Sequence, residues 1–406
     1  MMRPSYWIIL SLLLPAVLAT AGCNREYGRV GQPLPPWEEG YLDIHAINTG
    51  RGECTLFILP DGTTLVVDAG EFSSEPKAYR NVAQKPDTLT RPSHTLARYM
   101  RRFIPDRDSL DYLLVTHFHM DHFGQLEPRY GRSADGDYVL SGVTALYEEL
   151  PFRELVDRAW PDYDSLACRA MSRASLANYR RFVDRAVACR GLKAAAFRVG
   201  ADDQFVLCRD AERYPQFRIS NLCANGYVWD GSRAVKCYGS DSLRENGASC
   251  GILVRYGDFD YLTAGDIDDK SHVESLTAEA VGRPIEAMKA NHHLSPHAMS
   301  ERTLELLDPD VIVTQSFYVR AIQPDTSAIR RIAARPRTSA TRMYFTNIDP
   351  SLRAADPELY GLAAGIGGHV VIRVAPGGRE FSVYRLEDGD TTCRIRQIDG
   401  PFSCKP

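Results

Sequence analysis

The sequence predicts a mixed α/β sandwich with a helical, cysteine-containing insertion, and three observations carry that reading. Short apolar runs joined by glycine turns recur in both halves of the chain, a stretch of different character separates them, and several of the runs end in acids or histidines. Composition agrees: 406 residues with 44% hydrophobic and 25% charged are globular proportions, long enough for two domains or one large sandwich. A net charge of −4 gives no electrostatic case for a nucleic-acid partner. Positive charge gathers only locally, as at Arg98, Arg101 and Arg102 or at Arg330, Arg331, Arg335 and Arg337, and such runs are ordinarily solvated helix faces.

Residues 1–23 read as an export signal. Arg3 precedes an apolar run over 7–14, and small residues lead to Cys23; the run is too short and interrupted to span a membrane. Two cleavage readings stay open. Ala19-Thr20-Ala21 fits a small-x-small site and a soluble product, whereas Ala21-Gly22-Cys23 resembles a bacterial lipobox, apart from Thr20, and a product anchored to the membrane by lipidated Cys23. The second is preferred, and either one sends the protein to the periplasm or cell envelope. Ten cysteines suit an oxidising compartment. Cys393 with Cys404 would staple a tail at 386–406, Cys168 with Cys189 would tie two helix ends, and Cys54 and Cys250 are a disulfide or core thiols.

The elements follow in order. Alternation over 42–47, a turn at 48–52 and an apolar run over 54–59 precede the hairpin signal Pro60-Asp61-Gly62 and a strand over 64–67 that ends in Asp68-Ala69-Gly70. Leu96, Tyr99, Met100 and Phe103 predict a helix over 95–103. The strand 112–115 then runs directly into Thr116-His117-Phe118-His119-Met120-Asp121-His122. Over 125–245 the expectation is an insertion or cap: helices at 144–160 and 165–189, then an irregular segment with Cys208, Cys223 and Cys237. Its aromatic residues Tyr147, Trp160, Tyr163, Tyr227 and Trp229 would fill a core or wall a cleft. Strand rhythm returns at 251–256 and 259–262, which closes on Gly265-Asp266. Lys289 and His292-His293 follow, then strands at 311–313, 342–345, 370–372 and 381–384, with a helix near 328–334.

Three imidazoles and a carboxylate within six residues are costly to place beside an apolar strand unless something coordinates them. Alternate spacing lets His117 and His119 reach one ion, and the following turn sends Asp121 and His122 toward a second. This donor set suits zinc and also admits manganese or iron.

Together with Asp68-Ala69-Gly70, Gly265-Asp266 and His292-His293, this motif resembles the metallo-β-lactamase superfamily over residues 41–125 and 246–385. The phrases Asn48-Thr49-Gly50-Arg51-Gly52-Glu53, Pro60-Asp61-Gly62-Thr63, Tyr256-Gly257-Asp258-Phe259 and Leu262-Thr263-Ala264-Gly265-Asp266 are similar to the branch that contains the extracytoplasmic hydrolase domain of the competence protein ComEC. Where that branch usually has His-His-Gly-Ser, this chain has His292-His293-Leu294-Ser295.

The resemblance implies a four-layer αββα sandwich over 41–385 with the insertion at 125–245, two zinc ions per chain, and hydrolysis by a metal-activated hydroxide. It implies His117 and His119 on the first ion, Asp121 and His122 on the second, Asp266 bridging, and His292 closing the second site. His293 is the alternative ligand, or else a substrate-facing group that works with Asp121 and Asp266 in catalysis. Asp68 would orient a ligand histidine through its N–H. One departure stands out: no histidine occurs between residues 123 and 271, so the first ion would be completed by water, Asn246, Ser249, His94 or His297. The implied substrate is a small or polymeric phosphodiester, either nucleic acid or a cell-envelope phosphoester. A lactone or β-lactam is the alternative, and a non-catalytic metal-binding envelope module is the reading from another class. No protein partner is signalled.

Overall fold

The computed structural model is described for residues 28–72, 82–127, 130–165, 172–238, 243–317, 323–335 and 341–405. Cys23, the export segment and Cys168 lie outside them. Among the described residues no helix is long and apolar enough to cross a membrane.

The chain opens with β1 (Leu42–Ala46), β2 (Thr55–Ile58), β3 (Thr64–Val67), α1 (Pro92–Phe103), β4 (Leu110–Val115) and the single turn α2 (Met120–Phe123). Next come α3 (Val143–Glu149), β5 (Phe152–Asp157), α4 (Arg173–Cys189), β6 (Lys193–Ala196), β7 (Phe217–Ala224), β8 (Tyr227–Trp229) and β9 (Ala234–Lys236). The second half holds β10 (Gly251–Tyr256), β11 (Phe259–Thr263), α5 (Val273–Val281), β12 (Ala287–Lys289), α6 (Glu301–Leu307), β13 (Val311–Thr314), α7 (Thr326–Ala333) and β14 (Arg342–Phe345). Two short helices, α8 (Pro350–Ala355) and α9 (Pro357–Gly361), precede β15 (Gly365–Ile366), β16 (His369–Val374), β17 (Glu380–Leu386) and β18 (Ile395–Ser403).

Two nine-stranded sheets result, ordered β18-β17-β16-β1-β2-β3-β4-β5-β6 and β15-β14-β13-β12-β11-β10-β7-β8-β9. Period-two alternation splits each strand between two cores. In β4, Tyr112 and Leu114 point into the apolar layer between the sheets, where they join Tyr261 of β11 and Val311 and Val313 of β13. Leu113 and Val115 point the other way, onto Leu96, Met100 and Phe103 of α1 and Phe182 of α4. Across the second sheet, Leu262, Met288 and Ile312 face Leu304 of α6 and Ile329 and Ile332 of α7. The layers are therefore helix, sheet, sheet, helix, the predicted αββα sandwich.

Three expectations need correction. The stretch 125–245 is no insertion: β5 and β6 extend the first sheet in parallel beyond β4, and β7, β8 and β9 extend the second beyond β10. The helix expected over 144–160 ends at Glu149. Pro151 disfavours helical backbone at Leu150 (φ −145°, ψ 89°), and the chain re-enters as β5. The tail is held by pairing rather than by a disulfide. Residues Ile395–Ser403 form a strand against β17, with Cys393 before it and Cys404 after it, so the two thiols lie roughly 30 Å apart along an extended chain and stay free. Cys54 and Cys250 are likewise free core thiols, buried in different layers.

Candidate metal centre

The β3–β4 and β11–β12 pairs are parallel, so the loops leaving their carboxyl ends meet at one edge of the sandwich. β3 delivers Asp68, β4 delivers His117 to His122, β11 delivers Asp266, and β12 delivers Lys289 and the tandem histidines. The loops approach closely enough to exclude side chains. A Cβ at Gly70 would lie 1.7 Å from the Asp121 carbonyl oxygen, which is why glycine follows Asp68-Ala69.

Two clusters form around a shared carboxylate. Donor atoms of His117, His119 and Asp266 lie within 4.8 Å of one another, as do those of Glu53, His122, Asp266 and His293. Asp121 Oδ2 stands 3.8 Å from His122 Nε2 and 3.6 Å from His293 Nε2, so it belongs with the second group. Asp266 Oδ2 is 3.8 Å from His117 Nε2 and 3.3 Å from His122 Nε2, and its Oδ1 is 3.3 Å from His293 Nε2. The Ser249 hydroxyl accepts the Asp266 backbone N–H at 3.1 Å and fixes that hub.

Hydrogen bonds behind the rings decide which nitrogens face inward. Asp68 Oδ2 accepts from His122 Nδ1 at 2.7 Å and from the Thr116 hydroxyl at 2.7 Å. With its hydrogen committed to Asp68, the Thr116 oxygen accepts from His117 Nδ1 at 3.1 Å. His293 Nδ1 donates to the Gln315 carbonyl at 3.0 Å. Each ring thus spends its N–H outward and turns the lone pair of Nε2 toward the centre. His122 Nε2 and His293 Nε2 then face each other at 3.2 Å beside Asp266, while His117 Nε2 and Asp266 Oδ1 are buried without hydrogen-bond partners. Opposed lone pairs at that distance repel unless a cation or a proton lies between them. The donor set therefore fits metal ions.

The charge balance follows from the same geometry. Burial pushes His293 down, but Asp266 and Asp121 raise it to about 9. Burial opposes His122 too, and Asp266, Asp68 and Asp121 carry it well above its ordinary range. Burial and the neighbouring His122 and His119 hold His117 well below its usual value. Burial would raise Asp121, yet His122 and His293 draw it down to about 2. The carboxylate charge that favours a proton at these rings favours a cation facing their Nε2 atoms for the same reason.

Residues 48–128 match the sequence profile of the family described as Metallo-beta-lactamase superfamily. That match covers β2 to β4 of the first sheet and the 117–122 motif. No curated protein matches the sequence. Among solved structures the chain is similar to a mutant of the CmlA beta-hydroxylase, at 13% identity and a TM-score of 0.40, with 84% of this chain and 54% of that one covered. It is also similar to CmlA, a diiron beta-hydroxylase from Streptomyces venezuelae, at 13% identity and a TM-score of 0.35, covering 71% and 46%. The chain spans about half the length of these structures.

Within this centre the tandem histidines take places different from those expected. The ring that joins Asp121, His122 and Asp266 is His293, which is fully buried, so the preference for His292 there and the substrate-facing role for His293 both reverse. His292 is 14% exposed, and its Nε2 lies 3.9 Å from Asp266 Oδ2. Its Nδ1 contacts Asp268 Oδ2 at 3.2 Å and the Ser295 hydroxyl at 3.0 Å, and Asn246 Nδ2 reaches its Nε2 at 2.9 Å. The reason is backbone: His292, His293 and Leu294 have φ of 43°, 48° and 59°, a left-handed run that throws successive rings to opposite sides of Asp266. Asp68, at φ 61°, carries the same kind of strain.

His94 is remote, paired with Glu149 on the face of α1 at 3.3 Å, and His297 is exposed. Tyr147 and Tyr163 are core residues, and Tyr163 packs 6.0 Å from Phe118 of the motif. Sequence reasoning missed Glu53, Asp268, Lys289 and Glu245 as contributors. Glu245 accepts the Phe118 N–H at 2.7 Å and is paired with Arg158 at 2.6 Å, which pins the loop between His117 and His119. The available signal for Glu53 was an acid directly ahead of an apolar strand, inside the glycine-rich turn that carried the resemblance.

Proposed function

We propose that this protein is an exported hydrolase that uses two divalent metal ions, zinc by donor chemistry, to cleave a phosphodiester of the cell envelope or of nucleic acid. The observation that carries the reading is the pair of inward Nε2 lone pairs, on His122 and His293, opposed beside a buried carboxylate. His117, His119 and Asp266 would hold one ion; Asp121, His122, His293 and Asp266 would hold the other. When bound, two such cations lower the pKa of a water toward about 7, which supplies hydroxide at neutral pH, and they polarise a phosphoryl oxygen.

The chain's own residues do the remainder. Asp68, directly and through Thr116, keeps His122 and His117 in the tautomer that presents Nε2. Asp268 and Ser295 hold His292 Nδ1 and Asn246 holds its Nε2, so this partly exposed ring stands fixed beside Asp266, where it can position a bound phosphodiester. Phe72, Val82 and Phe317, with Met120 against them, form an apolar wall that keeps bulk water from the inner rings, with Phe317 4.9 Å from His293. The similarity of the 48–53 and 262–266 phrases to the ComEC-like branch favours a phosphodiester, and the lipobox-like Ala21-Gly22-Cys23 favours an envelope location with a lipid anchor.

Elemental analysis of the purified protein, followed by a panel of p-nitrophenyl phosphodiester, phosphorylcholine ester and lactone substrates, tests the proposal. Two ions per chain and chelator-sensitive phosphodiester cleavage are expected. Lactone turnover alone would move the substrate class, and a metal-free, inert protein would overturn the reading.

A further inference from the structure

We propose that Glu53 and Lys289 form a buried ion pair that fastens the two halves of the metal centre together and sets Asp266 and His293 in place before any ion binds. The inference rests on the metal-centre reading above and adds two positioning residues to it.

Each partner belongs to a different sheet. Glu53 lies ahead of β2, and its backbone is tied to the first half of the site: its N–H donates to the Asp121 carbonyl at 2.8 Å, and its carbonyl accepts from Gly70 N–H at 2.9 Å. Lys289 ends β12 in the second sheet. Its ammonium donates to the carbonyls of Gly265 at 2.6 Å and Ala290 at 3.2 Å, the residues just before Asp266 and just before the Asn291-His292-His293 turn. The two side chains meet at 3.1 Å between Glu53 Oε2 and Lys289 Nζ. From there Glu53 Oε2 lies 3.5 Å from His293 Nδ1, and Lys289 Nζ lies 3.7 Å from Asp266 Oδ1.

The geometry makes Glu53 a partner of the ring rather than a ligand. It sits on the Nδ1 side of His293, whereas the atoms that converge on the centre face Nε2. Both residues are shut off from solvent, at 0% and 1% exposure. A buried ion pair of this kind is no more stable than a well-packed apolar pair, so its contribution here is placement. One ammonium holds the turn before Asp266, the turn before His293 and a carboxylate that itself moves with Asp121. Pulling any one of these away drags on the others.

The test is a double-mutant cycle on the full chain: Glu53→Gln, Lys289→Met and the double variant. Metal content is measured by elemental analysis, zinc affinity by competition with a chromophoric chelator, and metal-free stability by urea denaturation. Each single variant should bind at least one ion about 10- to 100-fold more weakly while still taking up two at saturation. The double variant, with no unpaired buried charge, should lose less than the product of the two single losses. Unchanged affinity in the singles, or losses that simply multiply, would overturn the pairing. So would a Glu53→Gln protein that saturates at one ion beside a Lys289→Met protein that saturates at two, because Glu53 would then be a ligand. If Lys289→Met does not fold, Glu53→Gln and the double variant decide by the same titration. Unaltered protein that binds no metal would remove the metal-centre reading itself; unaltered protein that binds two ions beside unaffected variants would remove only this inference.

Discussion

Adjacent histidines end up with different duties because three successive residues adopt a backbone that L-amino acids seldom take. His293 turns inward and is locked by the Gln315 carbonyl, while His292 turns to the mouth and is locked by Asp268. Removing them should therefore have separable effects. His293→Ala is expected to lose one of two ions by elemental analysis, whereas His292→Ala retains both and loses turnover. Equal metal loss in the two variants would contradict this division. Asp266→Ala, at the hub, should abolish turnover by at least about 1,000-fold and disturb both ions while circular dichroism stays native, and Asp121→Ala should act chiefly on the second ion. Full activity in either would remove the centre assigned here. Much of this layer was legible in sequence: the motif at 117–122 needed only residue type and spacing, and Asp68, Asp266 and the tandem pair followed from the family resemblance. Glu53, Lys289 and Asp268 were not, because their value lies in which residues stand beside them and none of those neighbours is near in sequence.

Strands and turns place those side chains, and two contacts show how tightly. Gly70 leaves no room for a methyl against the Asp121 carbonyl, so Gly70→Ala should destabilise the fold by about 3 kcal/mol in urea unfolding and weaken metal uptake with it. Across the first sheet, Asp43 of β1 and Arg373 of β16 stand directly opposite and pair at 2.6 Å. Burial would raise Asp43, but Arg373 and His45 hold it down at about 2. A carboxylate with a depressed native pKa adds stability that is complete above its unfolded value of 3.8 and is lost as pH falls through about 2. Asp43→Asn should therefore be about 3 kcal/mol less stable than the unaltered protein at neutral pH, and the gap should close as the pH is lowered across that window. A gap that persists at the acid end would show that the pair is not its source. The strand runs were readable from alternation and glycine turns. The segment 125–245 was not, since β5 and β6 carry short, partly exposed patterns whose meaning depends on the edge they extend.

On the scale of the whole molecule, each sheet contributes one half of the centre, so ion binding and the packing of the sandwich are coupled. An ion at about 100 times its dissociation constant adds about 2.7 kcal/mol to the folded state. Stripping two ions with a chelator should lower Tm by about 5–10 °C with the sheets intact, and resupplying zinc should restore it. An unchanged Tm would show that the ions do not hold the two halves together. Sequence by itself determined most strand runs and the donor chemistry of the 117–122 motif, because alternation periods and clustered imidazoles are local properties; the layer architecture and the convergence with Asp266 came from the family resemblance. Only the tertiary structure decided that His293 rather than His292 faces the second cluster, that residues 125–245 complete both sheets, and that the tail is held by strand pairing. Each of those outcomes depends on backbone handedness or on partners far away in the chain, which no spacing rule records.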